Sequence, residues 1–567
     1  MTQKRGPRGA ATNAPRPTPA INDLWYKNAV IYCLSVGTFM DANGDGVGDF
    51  QGLMRRLDYL HGLGITAIWV MPFQTSPGGD DGYDVSDYYG VNPAYGTLGD
   101  FVEFTHGAKQ RGIRVIIDLV VNHTSNQHAW FQEARRDPKS VYRDWYVWSD
   151  KKPATANEGM IFPGVQKSTW SYDKEARAWY FHRFYDFQPD LNWANPAVRD
   201  EIGKVMGFWQ QLGASGFRVD AAPFVLEQVA PDVDPAPQDF TILDRWRQDL
   251  QWRTADAVLL CEANVPATDV NKYTGTSVDG PNDRTHMMFS FLLNARLWLA
   301  LARQEAETLV ESLTDLPRLQ PQAQWATFLR NHDELDLSRL TDDQREDVFR
   351  AFAPREDMRL YGRGVRRRLA PMLNGDRRHV ELAYALQFAM PGTPVLRYGE
   401  EIGMGENLAL PDRDAIRTPM QWSDTDNAGF STAPSEELVV PVSKTGRFGA
   451  RRVNVRAQQR DPDSLLRWFQ QLIGVVRECP EIGIGDCRVV DVPAPRSVLI
   501  HRFDSPTGAV LLLHNLADVP VTVDVGKDQA GPDRPWEVFA DSAYRRPTRA
   551  LTGIDLTGWG FRWFRLR

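Results

Sequence analysis

The amino-acid sequence predicts an α/β fold: a (β/α)8 barrel of the TIM type, with an inserted subdomain after its third strand and a C-terminal antiparallel β-sandwich. Three observations carry that expectation. Short β-branched runs recur along the chain, each followed by a polar stretch long enough for a helix, the mark of βα units around a parallel sheet. Several of these runs end in ionisable residues, where such a barrel collects its chemistry. The 567 residues also exceed what one ordinary core organises, so a large domain should carry smaller ones.

The clearest runs are Val30 to Val36, Ala67 to Met71, Val115 to Val121, Phe217 to Ala221, Val258 to Cys261, Trp325 to Leu329 and Pro394 to Tyr398. A weaker run, Met287 to Phe291, completes a set of eight. Between the third run and the fourth lie roughly ninety residues, far more than one crossover helix needs. This stretch is rich in aromatics, with Trp130, Trp145, Trp148, Trp170, Trp179 and Tyr180. It reads as a subdomain over 124–190, leaving the barrel to 21–123 and 191–480. An amphipathic helix near Leu465 to Arg477 then gives way to short strands such as Val498 to Phe503 and Val510 to His514, so 481–567 reads as the β domain. The first twenty residues are rich in Pro, Ala and Arg and lack the apolar core of about 7 to 15 residues that a signal peptide requires. They read as a disordered tail.

Composition narrows the function. A net charge of -8 offers no basic face for nucleic acid, and no stretch approaches the roughly 20 apolar residues that span a bilayer. The expected partner is a small neutral molecule, with neither nucleic acid nor membrane; a homo-oligomer stays open. Four scattered cysteines do not make a disulfide framework, and a cytoplasmic location fits them best.

The strand ends carry the chemistry. VIIDLVV runs into Asn122-His123, GFRV into Asp220, VLLC into Glu262 and WATFLR into Asn331-His332-Asp333. Retaining cleavage of a glycoside needs two carboxyl groups about 5 to 5.5 Å apart, a spacing that neighbouring barrel strands supply. Asp220 and Glu262 end consecutive strands. Arg218, two residues before Asp220, shares its face and would hold it ionised. Glu262 follows an apolar run, and burial raises a carboxyl pKa as a general acid requires. Each feature alone has a plainer reading: an ordinary ion pair for Arg218 and Asp220, a cap for Glu262, metal ligands for His332 and Asp333. The last lacks further ligands at suitable spacing. The loop DANGDGVGD places Asp41, Asn43, Asp45, the Val47 carbonyl and Asp49 as alternating oxygens around a glycine turn, which predicts a structural Ca2+ rather than a cation-free Asx turn. Gly52 stands at the twelfth position, so the loop is not an EF-hand. No organic cofactor is expected.

The motifs DLVVNH, QPDLN, GFRVD, CEAN and FLRNHD appear in order and resemble glycoside hydrolase family 13, the α-amylase family, from Leu24 to about Gln458. The resemblance implies Asp220 as nucleophile, Glu262 as acid/base and Asp333 as the carboxylate that binds the ring hydroxyls, with His123, His332 and Arg218 lining the same subsite. It also implies that Asp84 and Arg417 pair to close the far end of a glucose pocket, favouring disaccharides over starch. GDDGYDVSDYYGVNPAYGTLGDF, EEIGMGEN and DRDAIRTPMQWS are most similar to the trehalose synthase group, which interconverts maltose and trehalose. An α-glucosidase, or a transglucosidase with another acceptor, is the alternative. A silent sugar-binding protein is disfavoured because all three carboxylates are present. Cys33, Ser35 and Thr38 in CLSVGTFM, the segment ANVPATD, Leu396-Arg397 and Glu400 depart from that group's text and bear on the acceptor.

Overall fold

A computed structural model describes residues 21–162, 164–275, 284–530 and 534–566. Eight parallel strands close into a barrel: β1 (Ile31–Leu34), β2 (Ala67–Val70), β3 (Arg114–Leu119), β4 (Gly216–Val219), β5 (Val258–Cys261), β6 (Met287–Phe289), β7 (Gln324–Thr327) and β8 (Thr393–Arg397). Chain order is also ring order, β8 pairing back onto β1 through Ile31 opposite Val395 and Cys33 opposite Arg397. The strands are buried almost throughout because side chains fill the interior and helices cover the outside, which is why they read as unbroken apolar runs rather than alternating ones. All eight expected runs are barrel strands. Their ladders stop up to two residues short of the apolar text, as the chain turns toward the site.

The segment between β3 and β4 folds a three-stranded sheet from Trp148–Ser149, Ala178–Phe181 and Trp170–Asp173. It holds its own small core of Val147, Ala156, Trp170 and Phe181, and Phe131 stacks on Trp148 at 5.5 Å. The aromatic density of the insert is thus first a packing requirement: a subdomain this small buries enough surface only with large rings. Asp190 fastens it to the barrel, its Oδ2 accepting from Asn122 Nδ2 at 3.0 Å and its Oδ1 from Arg183 N at 2.9 Å.

Beyond a helix at Leu465–Glu478, a five-stranded antiparallel sheet and a two-stranded sheet (Val521–Val523, Ile554–Leu556) enclose a second apolar core. The helix buries one face against both units, Ile473 lying under Gly64 of the barrel and Trp468 beside Phe539 of the sheet. His501 ties the domains further through Nε2 to the Ala389 carbonyl at 2.8 Å. All four cysteines are free, and no helix among the described residues is long and apolar enough to cross a membrane.

Candidate active site

Three strand ends converge on one buried guanidinium. Arg218 on β4 is 1% exposed and its Nη1 contacts Asp118 Oδ1 on β3 at 2.5 Å and Asp220 Oδ1 at 2.6 Å, while Nη2 meets Glu262 Oε2 after β5 at 2.7 Å. One cation shared among three carboxylates cannot offset their desolvation. Burial pushes Asp220 up to about 6 and Glu262 up to about 7, with Arg218 opposing in both cases. Arg218 therefore moderates Asp220 rather than holding it fully ionised, and Glu262 keeps its proton to higher pH than its neighbour. Those are the opposite protonation states that a nucleophile and a general acid require.

The backbone reinforces this arrangement. Ala221 adopts a left-handed conformation (φ 47, ψ 38), which is rare for a residue with a Cβ, and this turns the chain sharply after Asp220. The amides of the turn then dock on Glu262, Ala221 N donating to Glu262 Oε2 at 3.2 Å and Ala222 N to the Glu262 carbonyl at 3.1 Å.

Asp333 follows β7 in a different setting. His332 Nε2 lies 3.0 Å from Asp333 Oδ2, and Arg413 Nη1 and Arg417 Nη2 reach Asp333 Oδ1 at 2.8 and 3.1 Å. Burial alone would raise this carboxyl, but His332, Arg413 and Arg417 together hold it well below the usual carboxylate range. His332 is pushed down to about 4 by burial, so at neutral pH its contact with Asp333 is a hydrogen bond from a neutral ring. Tyr83 stacks on that ring at 5.5 Å and its hydroxyl lies 2.8 Å from His332 Nε2. His123 is likewise pushed down to about 4 by burial, its Nε2 on the Tyr83 carbonyl at 2.8 Å. A fixed acceptor (Asp333) and neutral rings beside two carboxyl groups that titrate apart, Asp220 and Glu262, suit a polyhydroxylated ring.

One expected pairing is corrected. Asp84 does not meet Arg417: its carboxylate closes its own turn, accepting from Ser76 Oγ at 2.7 Å and Gly79 N at 2.9 Å. Asp81 takes its place, with Arg417 Nη1 3.3 Å from Asp81 Oδ2. Asp81 sits at φ 49 between Gly78 and Gly82, both also at positive φ, and that tight turn swings its side chain toward the site. Spacing alone does not reveal which carboxylate of GGDDGYD faces inward. Sequence reasoning also missed Asp118, Tyr83 and Arg413. Asp118 and Arg413 were legible only as letters of longer motifs, DLVVNH and DRDAIRTPMQW.

A cover lies over these groups. Phe162 and Tyr185 of the insert stack at 4.8 Å, Phe162 also packs on Tyr361 from the segment after β7 at 5.2 Å, and the Arg413 guanidinium lies 5.5 Å from the Phe162 ring. Arg413 further binds Asp80 Oδ1 at 3.1 Å, so one residue links the loop after β8, the loop after β2 and Asp333.

With this geometry in view, comparison with known proteins identifies the lineage. The profile of the α-amylase catalytic domain matches residues 32–354 and 365–483. The chain belongs to the α-amylase family. It is 41% identical over 546 residues to the trehalose synthase/amylase TreS of Mycobacterium tuberculosis, covering 96% of this chain and 90% of that one. It is 42% identical to the trehalose synthase of Thermus thermophilus, covering 96% of this chain and 56% of that longer protein. Among solved structures, an α-amylase from H. orenii superposes with a TM-score of 0.76 at 26% identity over 95% of this chain and all of that one. The trehalulose synthase MutB of Pseudomonas mesoacidophila gives 0.75 at 26% over 96% of this chain and 99% of its own. The protein is an α-amylase-family enzyme of the trehalose synthase type.

The loop from Asp41 to Asp49 is stitched internally. Asp41 accepts from Gly44 N (2.7 Å), Gly46 N (2.9 Å) and Ser431 Oγ (2.6 Å), and Asp49 from Ala42 N (2.9 Å) and Gly52 N (2.6 Å). A Cβ at Gly46 would come within 2.3 Å of the Glu437 carbonyl oxygen, so only glycine serves there. Among the described residues no three His, Cys, Asp or Glu side chains are grouped as metal ligands. A cation in this loop would need the Asn43 amide oxygen and the Val47 carbonyl to complete its shell, and the Asn43 amide nitrogen, now 3.0 Å from Asp45 Oδ2, to turn away.

Proposed function

We propose that the enzyme interconverts maltose and trehalose by moving a glucosyl group through a covalent intermediate on Asp220. Asp220 attacks the anomeric carbon as Glu262 protonates the departing oxygen, so the glycosidic bond breaks as the glucosyl-Asp220 bond forms. The released glucose turns within the site and offers a different hydroxyl. Glu262, now ionised, accepts that proton while the hydroxyl oxygen attacks the same carbon and frees Asp220. Asp333, Arg417, Asp81, His123 and His332 hold the glucosyl ring throughout.

The observation that carries this reading over simple hydrolysis is the cover formed by Phe162, Tyr185, Tyr361 and Arg413, whose proposed role is to limit the access of water to the intermediate while glucose turns. Incubation with maltose tests it: trehalose should rise ahead of free glucose. Opening the cover with Phe162→Ala should move the product ratio toward glucose by about tenfold, or about 1.4 kcal/mol of lost discrimination. Glucose as the sole product of the unmodified enzyme would assign it instead as an α-glucosidase, the activity named for a Pediococcus pentosaceus relative 30% identical to this chain.

We also propose that the Asp41–Asp49 loop holds Ca2+ through Asp41, Asn43, Asp45, Val47 and Asp49 in a structural role. The alternating oxygens and the glycine turn support it. Calcium titration of chelator-treated protein should raise the unfolding temperature, and an unchanged transition would remove the ion from the account.

A further inference from the structure

Arg397, a departure from the related text, plays no part in the mechanism above, yet it lies among other buried arginines. Arg330, Arg368 and Arg397 are 3%, 1% and 1% exposed. Arg368 and Arg397 hold their guanidinium carbons 5.3 and 4.9 Å from the same Tyr398 ring. Arg330 runs beneath Asp333, donating Nη2 to the Asp333 carbonyl and Nε to the Arg367 carbonyl, each at 2.8 Å. Burial pushes Arg330 down to about 10; Glu400 and Glu334 oppose the shift, while Arg397 and Arg368 add to it by repulsion.

Counter-charge is scarce around these three cations. Glu400 Oε1 lies 3.2 Å from Arg368 Nη1, and its other oxygen accepts from Tyr384. Among the described residues the Arg397 side chain donates only to the Ile416 carbonyl and, weakly, to the Met71 sulfur. Arg330 Nη1, Arg368 Nε and Nη2, and Arg397 Nε are buried without a hydrogen-bond acceptor among the described residues. Buried charged donors left unpaired are costly, and a fold that keeps several of them together is built around something that accepts their bonds. Arg218 stands apart from this group because its charge is met by Asp118, Asp220 and Glu262.

We propose that Arg330, Arg368 and Arg397 form a binding site for a small inorganic anion of halide size, behind the floor of the glucose pocket. Their near-complete burial suits an ion without a carbon skeleton, and the excess of guanidinium charge calls for an anion rather than water. Bound there, the ion fixes Arg330, and through the Arg330 bond to the Asp333 carbonyl it steadies the carboxylate that grips the sugar.

The test is direct. Crystals soaked in sodium bromide should show an anomalous peak among the three arginines. The unfolding midpoint should be about 2 °C higher in sodium chloride than in sodium gluconate at equal ionic strength, with a saturating dependence on chloride. Arg397→Met should abolish that difference and Arg397→Lys should retain part of it. An ordered water in place of bromide, equal midpoints in the two salts, or an Arg397→Met protein that still responds to chloride would each overturn the site.

Discussion

Two carboxylate-rich regions, the catalytic mouth and the Asp41–Asp49 loop, show how partner chemistry decides what a carboxylate does. In the loop, Asp41, Asp45 and Asp49 accept mainly from backbone amides two to seven residues away, bonds that fix the path of the chain. In the mouth, Asp118, Asp220 and Glu262, gathered from three neighbouring strands, share the one guanidinium of Arg218 inside the barrel rim. Backbone amides satisfy a carboxylate locally and permanently. A cation divided among three buried acids leaves their protonation open to change, and proton transfer requires that.

The strongest way to break the comparison is to neutralise one acid in each region. Asp220→Asn should lower turnover by at least about 10³-fold with the fold retained, read by initial rates on maltose alongside circular dichroism. Asp49→Asn should leave turnover nearly unchanged and cost about 1 to 2 kcal/mol of stability, read by denaturant unfolding, because Asp49 caps a helix and closes its loop. Equal losses of activity in the two variants would erase the distinction.

A second prediction sharpens it through pH. Asp220 must be ionised and Glu262 protonated in the free enzyme, so kcat/KM should fall below about pH 6 as Asp220 gains its proton, and above about pH 7 as Glu262 loses its own. Glu262→Gln should flatten the alkaline limb. A profile level from pH 5 to 9 would contradict the shared-cation account.

The smallest effects separate two acids three residues apart, Asp81 and Asp84. Asp81→Asn should raise KM for maltose several-fold by loosening Arg417, whereas Asp84→Asn should lower stability by about 1 kcal/mol and leave KM within twofold. The reverse result would restore the Asp84–Arg417 pairing that the motif suggested.

Periodicity and strand-end residues made the barrel and three of its acids legible in the sequence, because both follow from local rules: a strand buried on two faces must be apolar, and a barrel gathers its polar residues where strands end. Asp220, Glu262 and Asp333 could be read this way, and so could Arg218, whose alternation with Asp220 is fixed by the pleat. Asp81 could not, since a left-handed residue in a glycine turn decides which of three aspartates reaches Arg417. Nor could the cover of Phe162, Tyr185, Tyr361 and Arg413, or the gathering of Arg330, Arg368 and Arg397, whose members come from segments far apart in the chain. A sequence states which groups a chain owns and which local turns they favour. Only closing the barrel brings distant groups within a few ångströms, where burial and Coulomb interactions set their charges.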